Sequence, residues 1–219
     1  MAKFKHGDIF TLQLPNQKYM FGRIMLDIYN QCVKPKLIEP DSPLMFHARS
    51  LVVEVYKQVS DQPDFNPSEV LIPGFYLSAD PLKSEQWQIV GHQEVNPTEL
   101  EFPESLARSC GSWCIERGDL SLHVAVDWGE ERKDWNVFPT IVSPYALPKI
   151  CLYYLGLKHL LEPIEPLGID WWSLGRIDLR YSAIRSEIYK LAGEDENQSY
   201  YQITSKYGIE PDIFYQMEL

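Results

Sequence analysis

Apolar and polar residues alternate from the first turn of the chain. Phe10, Leu12 and Leu14 alternate with Thr11 and Gln13, the period of a strand with one buried face. Pro15, Asn16 and Gln17 interrupt that pattern, and residues 18–26 resume it, with Tyr19, Phe21 and Met25 on one side and Met20, Ile24 and Leu26 on the other. The pattern predicts a hairpin that opens an antiparallel sheet. Gly7 and Asp8 stand where the chain must turn into the first strand, since glycine tolerates positive φ and an aspartate can bond nearby backbone amides. Gly22, inside the second strand, predicts a bulge or the close crossing of another backbone. Arg23 places a charge on the edge of an otherwise apolar strand.

Further short strands are expected at 28–33, ended by Pro35 and Pro40, at 51–59, in two pieces of 70–77 around Pro73 and Gly74, and at 87–91. Segment 96–104, with two prolines and several carboxylates, reads as an extended cover or a boundary. A second hairpin follows, its arms 112–116 and 120–128 flanking Arg117, Gly118 and Asp119, and it is expected to extend the first sheet. From Pro144 the period changes: Leu147, Ile150, Cys151, Tyr154, Leu157 and Leu161 form one helical stripe. Tyr181, Ile184, Ile188 and Leu191 form another, closed by Gly193. Two helical pieces, 199–206 and 211–217, finish the chain. The expected class is α+β. Residues 1–142 would form a mainly antiparallel, barrel-like or strongly curved sheet, with the helical region 143–219 packed on it.

Charge narrows the partners. A formal net charge of −11 and a pI near 4.9 repel nucleic-acid phosphates and disfavour a DNA or RNA ligand. The same charge steers a basic protein toward the surface. The opening MAKFKHGDIF carries no apolar run behind its lysines, and residues 150–161 are too short and too interrupted to span a bilayer. The cytoplasm is therefore the expected compartment. There Cys32, Cys110, Cys114 and Cys151 are expected as free thiols.

Gly7, Asp8, Ile9 and Phe10, followed by Leu14 and Pro15 and then by Lys18, Tyr19, Gly22, Arg23 and Ile24, resemble the opening of the immunity protein 26 family of bacterial polymorphic-toxin systems. Trp87, Gln88, Ile89, Val90 and Gly91, ahead of Leu100 and Phe102, are similar to that family's second landmark, and the likeness thins out after Ser105. The resemblance implies a protein that binds and neutralises a cognate toxin by occlusion, with no catalysis and no cofactor.

The residues themselves offer several weaker candidates. Cys110 and Cys114 could hold zinc with His123 and Cys151, but no second compact ligand pair accompanies them, so no metal is expected. His123 and Asp127 share one face of a strand, and with the nearby cysteines they define the alternative reading, a small hydrolase or metal-dependent enzyme. No nucleophile elbow or phosphate-cradling loop is present. Segment 127–135, DWGEERKDW, combines indoles with mixed charge and reads equally as a partner contact or as a hairpin tip folded back on the core. The expected partner-binding residues are Arg23, Trp87, Asp127, Trp128, Glu130, Glu131 and Trp135, while Gly7, Asp8, Gly22 and Gly118 are expected to shape turns or bulges.

Overall fold

The computed structural model describes residues 4–14, 17–66, 69–83, 87–109, 111–126, 135, 137, 146–157, 159 and 174–216. The opening hairpin forms as its alternation predicts: β1 (Asp8–Gln13) runs antiparallel to β2 (Tyr19–Asp27), with Phe10 opposite Gly22 and Leu12 opposite Met20. Gly7 takes φ +85°, and Asp8 Oδ2 accepts from the Lys5 amide at 2.9 Å, so this turn is built as expected. Strands β3 (Ser50–Tyr56), β4 (Val70–Ser78) and β5 (Ile89–His92) complete a five-stranded antiparallel sheet in the order β4-β3-β2-β1-β5. Its outer strands β4 and β5 do not pair with each other, so the sheet stays open and is not the expected barrel.

Both faces of this sheet are covered, which explains why β2 and β3 are buried almost throughout rather than at alternate positions. Phe10, Leu12, Met20, Ile24 and Val53 share one core with Leu147, Ile150 and Cys151 of α2 (Leu147–Tyr154); a short helix α1 (Asp80–Lys83) precedes it in the chain. Phe10 also stacks on Trp87, with ring centroids 5.5 Å apart. Met25, Leu26, Val52 and Tyr76 enter a second core with residues of a separate three-stranded sheet and of the C-terminal helices.

That second sheet has the order β6-β7-β8, built from β6 (Glu104–Ser109), β7 (Ser112–Arg117) and β8 (Leu120–Val124). Gly118 turns the β7–β8 hairpin at φ +61°, as its sequence predicts, but the hairpin pairs with β6 instead of extending the first sheet. Residues expected as a third strand after β2 form a π-helical turn, Tyr29–Val33. The cause is local: the Asp27 carboxylate accepts from the Asn30 amide at 3.1 Å, and the Gln31 side chain accepts from the Asp27 amide at 2.8 Å, which diverts the backbone from a sheet ladder. The two expected pieces around Pro73 and Gly74 belong to the single edge strand β4, where a proline is tolerated.

The later helices form only in part as their periodicity predicts: Ile188 and Leu191 lie on one helix, whereas Tyr181 ends a separate 3-10 turn, Leu179–Tyr181, and the last piece is a 3-10 turn, Pro211–Tyr215. α3 (Arg185–Ala192) ends at Gly193 with φ +73°, and α4 (Tyr200–Lys206) begins with a capping box between Ser199 and Gln202. They are fastened to β6 by a buried carboxylate. Glu104 Oε1 accepts from Tyr189 Oη and Arg185 Nη2, both at 2.8 Å, Oε2 accepts from Arg185 Nε at 2.8 Å, and Arg117 Nη1 lies 3.5 Å away. Burial opposes ionisation of Glu104, yet the bonds and charges of Arg185 and Arg117 hold its carboxyl below the ordinary value. Arg117 also pairs with Glu101 and donates to the Gln198 carbonyl at 3.0 Å. Nearby, Asp178 accepts from the Glu104 amide at 3.2 Å and pairs with Arg180, which donates through Nη2 to the Gly74 carbonyl at 2.6 Å and through Nη1 to the Pro73 carbonyl. Edge strand, second sheet and helices are thereby joined by charge.

Two outcomes follow from this packing. A Cβ at Gly22 would stand 2.5 Å from Phe10 Cζ and 2.9 Å from the Glu54 carbonyl oxygen, so Gly22→Ala should destabilise the protein by about 2 kcal/mol in urea denaturation. An unchanged midpoint would show that the two strands separate freely. Glu104→Gln removes the charge facing Arg117 and Arg185 and should cost about 3–5 kcal/mol in the same assay, far more than an exposed Glu→Gln change.

Candidate functional site

A polar cleft lies where the turn before β3 meets the second sheet. Ser42 and Pro43 start a 3-10 turn, Pro43–His47, in which Ser42 Oγ accepts from the Leu44 amide at 3.1 Å and proline occupies the first helical position. Leu44 is fully buried and fixes the turn, while Phe46 is left 82% exposed. His47 points inward at 8% exposure and stacks on Tyr76, with centroids 3.7 Å apart and planes 7° from parallel. Among the described residues its Nδ1 has no hydrogen-bond partner, and burial lowers its pKa to about 4.

β6 and β7 supply the facing wall. Ser105 and Glu116 are cross-strand neighbours, and the serine hydroxyl donates to Glu116 Oε2 at 3.1 Å. Burial raises the pKa of Glu116, and among the described residues no arginine or lysine pairs with it. Pro43, His47, Tyr76, Pro103, Ser105, Glu116 and Gly118 enclose about 10 Å³, room for one water-sized group. Because the serine bonds the carboxylate and not the imidazole, the set lacks the serine–imidazole contact of nucleophilic catalysis. Next to Gly118, Asp119 is raised in pKa by burial and, against the pull of a Ser42 hydrogen bond, by the charges of Asp41 and Glu39. One end of the molecule therefore combines an exposed phenylalanine, three neighbouring acids and a small polar cleft.

Of the expected partner-binding residues, the three that are described lie elsewhere. Arg23 is 3% exposed: Nε lies 2.9 Å from Glu54 Oε1, and Nη2 lies 2.9 Å from Glu99 Oε2. Trp87, at 9%, lies under Phe10, and Trp135, at 1%, meets Trp113 edge to face at 5.7 Å. All three side chains are interior as the protein folds, so for Trp135 it is the fold-back reading that the packing shows. Asp127, Trp128, Glu130 and Glu131 lie outside the described residues, as does Cys110. Asp8 Oδ1 meets His92 Nδ1 at 2.9 Å beside the Gly7 turn, and Gly22 marks a close approach rather than a bulge.

For the enzyme alternative, Cys114 and His123 are cross-strand partners on β7 and β8, with His123 exposed. Asp127 lies outside the described residues, and Cys151 is in the core beneath the other sheet. Cys32, Cys114 and Cys151 are free thiols, and burial pushes those of Cys32 and Cys151 well up. Among the described residues no group of three or more His, Cys, Asp or Glu side chains is placed to hold a metal ion. The Pro43–His47 turn escapes a reading by periodicity because one turn has no period; its signal is the Ser42-Pro43 pair, a helix-start signature.

The burial of His47 carries a pH dependence of definite sign. Its folded pKa, about 4, lies below the ordinary 6.5, so the unfolded chain takes up the proton first and stability falls as pH drops from about 6.5 toward 4. The full effect is about 3 kcal/mol. Urea denaturation of the wild type and of His47→Phe from neutral pH down to about pH 4 should show the wild type losing more stability, and parallel curves would mean that His47 is solvated.

Among the described residues no helix is long and apolar enough to cross a membrane. No curated protein and no solved structure matches the chain. A family model does, from the turn that leads into β1 to the fourth residue of β6, a span that holds the five-stranded sheet, the Pro43–His47 turn and Ser105. Over these residues, 5–107, the chain matches the family described as Immunity protein 26.

Proposed function

We propose that this protein is an immunity protein that binds a cognate bacterial toxin domain in the cytoplasm and neutralises it by occlusion, without catalysis of its own. The match of residues 5–107 to the immunity family carries the reading. The site geometry supports it. An aromatic side chain left 82% exposed is the kind of anchor that interfaces bury, and the acids Glu39, Asp41 and Asp119 beside that turn suit a basic partner. The net charge of −11 acts in the same direction at longer range, speeding encounter with a cationic surface.

Asp127, Trp128, Glu130 and Glu131 belong to the proposal as a second acidic, indole-bearing contact segment. Arg23, Trp87 and Trp135 enter it only as supports beneath the surface, because their side chains are buried. Occlusion demands no chemistry of these residues; it demands a rigid, complementary surface, and two packed sheets suit the rigidity it needs.

The direct test is to look for a toxin gene beside this protein's gene and to co-express the two. Growth should be restored, and the two chains should co-purify as a complex. Unchanged killing with both proteins expressed and folded would overturn the reading.

A further inference from the structure

Residues 28–49 connect β2 to β3 through two short helical turns, a long connection for a compact fold, and it is pinned at several points. Gln31 donates to the Phe214 carbonyl at 2.9 Å, Cys32 lies in the core, and Ile38, Leu44 and His47 are buried. The geometry of the Pro43–His47 turn decides what it shows to solvent. A 3-10 turn has three residues per turn, so side chains three apart share a face. Leu44 and His47 take the inner face, Leu44 fully buried and His47 stacked on Tyr76. Pro43 and Phe46 are thereby left on the outer face. Phe46 is 82% exposed, whereas the other exposed large apolar side chains among the described residues reach 38–52%. A lone exposed apolar residue is ordinary at a surface. This one is a whole phenyl ring raised on a turn that its buried neighbours lock in place.

The surroundings of the ring define the partner. Ser42, which caps the turn, bonds Asp119 at the tip of the β7–β8 hairpin. Lys34, Lys36 and Arg49 belong to the same connection, yet the charges that act on Asp119 are those of Asp41 and Glu39, both of its own sign. Acids so gathered repel one another, and a cation from outside relieves them. A second copy of this chain would bring the same acids and a net charge of −11, so self-association through this face is opposed. An anionic lipid or nucleic-acid surface is opposed by the same sign. We infer that Phe46 is the anchor of the toxin contact: its ring enters an apolar pocket of the partner whose rim carries lysine or arginine opposite Glu39, Asp41 and Asp119. This rests on the function proposed above and adds which side chain carries the contact and what chemistry the partner presents. Because Leu44 and His47 fix the turn before binding, the ring is ordered at little entropic cost, and it acts chiefly by slowing dissociation. The acids lie at the rim and act chiefly on association.

Binding kinetics of the full chain with the toxin domain found beside the gene test the anchor. Phe46→Ala should weaken binding at least about 30-fold through faster dissociation, and its urea midpoint should stay that of the wild type because the ring is exposed. The double variant Glu39→Lys, Asp41→Lys should slow association about tenfold at low salt and reduce its salt dependence, with dissociation little changed. Ile89→Ala, on edge strand β5, should bind as the wild type does. An affinity of Phe46→Ala within about threefold of the wild type, or an equal loss in Ile89→Ala, would overturn the anchor and leave the immunity reading standing. Unchanged association of the charge-reversed variant would overturn the basic rim. A wild type that neither binds the toxin nor protects cells from it would overturn the immunity reading, and this inference with it.

Discussion

The structure depends most on one buried carboxylate. Glu104 begins β6 with no solvent contact and is met by Arg117 from β7 and by Arg185 and Tyr189 from α3. A charge so placed costs several kcal/mol to desolvate and is tolerated only when every acceptor position is filled. Here the filling groups come from two elements, the neighbouring strand β7 and the sequence-distant helix α3, so the carboxylate is satisfied only if β6, β7 and α3 arrive together. Hydrophobic packing alone would accept many relative placements of two sheets and a helical layer; this constellation accepts one. Its contribution is better described as specificity of arrangement than as net stability, because an apolar trio of similar volume would cost less to bury.

The same logic places Arg180. Its guanidinium pairs with the buried Asp178 and donates to the carbonyls of Pro73 and Gly74, groups at a point where β4 departs from regular pairing with β3. Where the register slips, the carbonyls of Pro73 and Gly74 fall outside the ladder, and an arginine from the C-terminal half supplies their donors. Glu101 and Glu104 fall inside the family-matched span, whereas Arg117 and Arg185 fall outside it. The matched segment therefore cannot be cut at its own boundary without leaving buried carboxylates bare.

What could be read from the sequence was local. The β1–β2 hairpin, the Arg117, Gly118 and Asp119 turn, and the Ser199 and Gly193 caps depend on residues within a few positions of one another, and all of them form. Sheet membership is a long-range property: nothing in the alternation of Leu120, Leu122 and Val124 says which strand lies beside it, and the hairpin's pairing with β6 was not legible. Residues 28–33 were misjudged for a different reason. Their apolar content suits a strand, but Asp27 and Gln31 satisfy backbone groups that a strand would need to pair across. Arg23, Trp87 and Trp135 illustrate a third limit, since their residue types suit an interface and a core equally and only packing decides between them.

The candidate site was invisible for the complementary reason, that its groups are ordinary one by one. Ser105 and Glu116 become neighbours only through strand register, and His47 faces them only because Leu44 turns the chain inward and Tyr76 provides a ring to stack on. Each unpaired group taken alone is a small defect. Among the described residues His47 Nδ1 has no hydrogen-bond partner and Glu116 pairs with no arginine or lysine. The core meets its buried carboxylates at Glu104 and at Asp178 with arginines, whereas Glu116 lies at the end of the molecule where Phe46 is exposed and Glu39, Asp41 and Asp119 gather. What sets this end apart is its field as much as its shape, because carboxylates gathered beside an exposed ring raise the local potential that a cationic surface meets on approach.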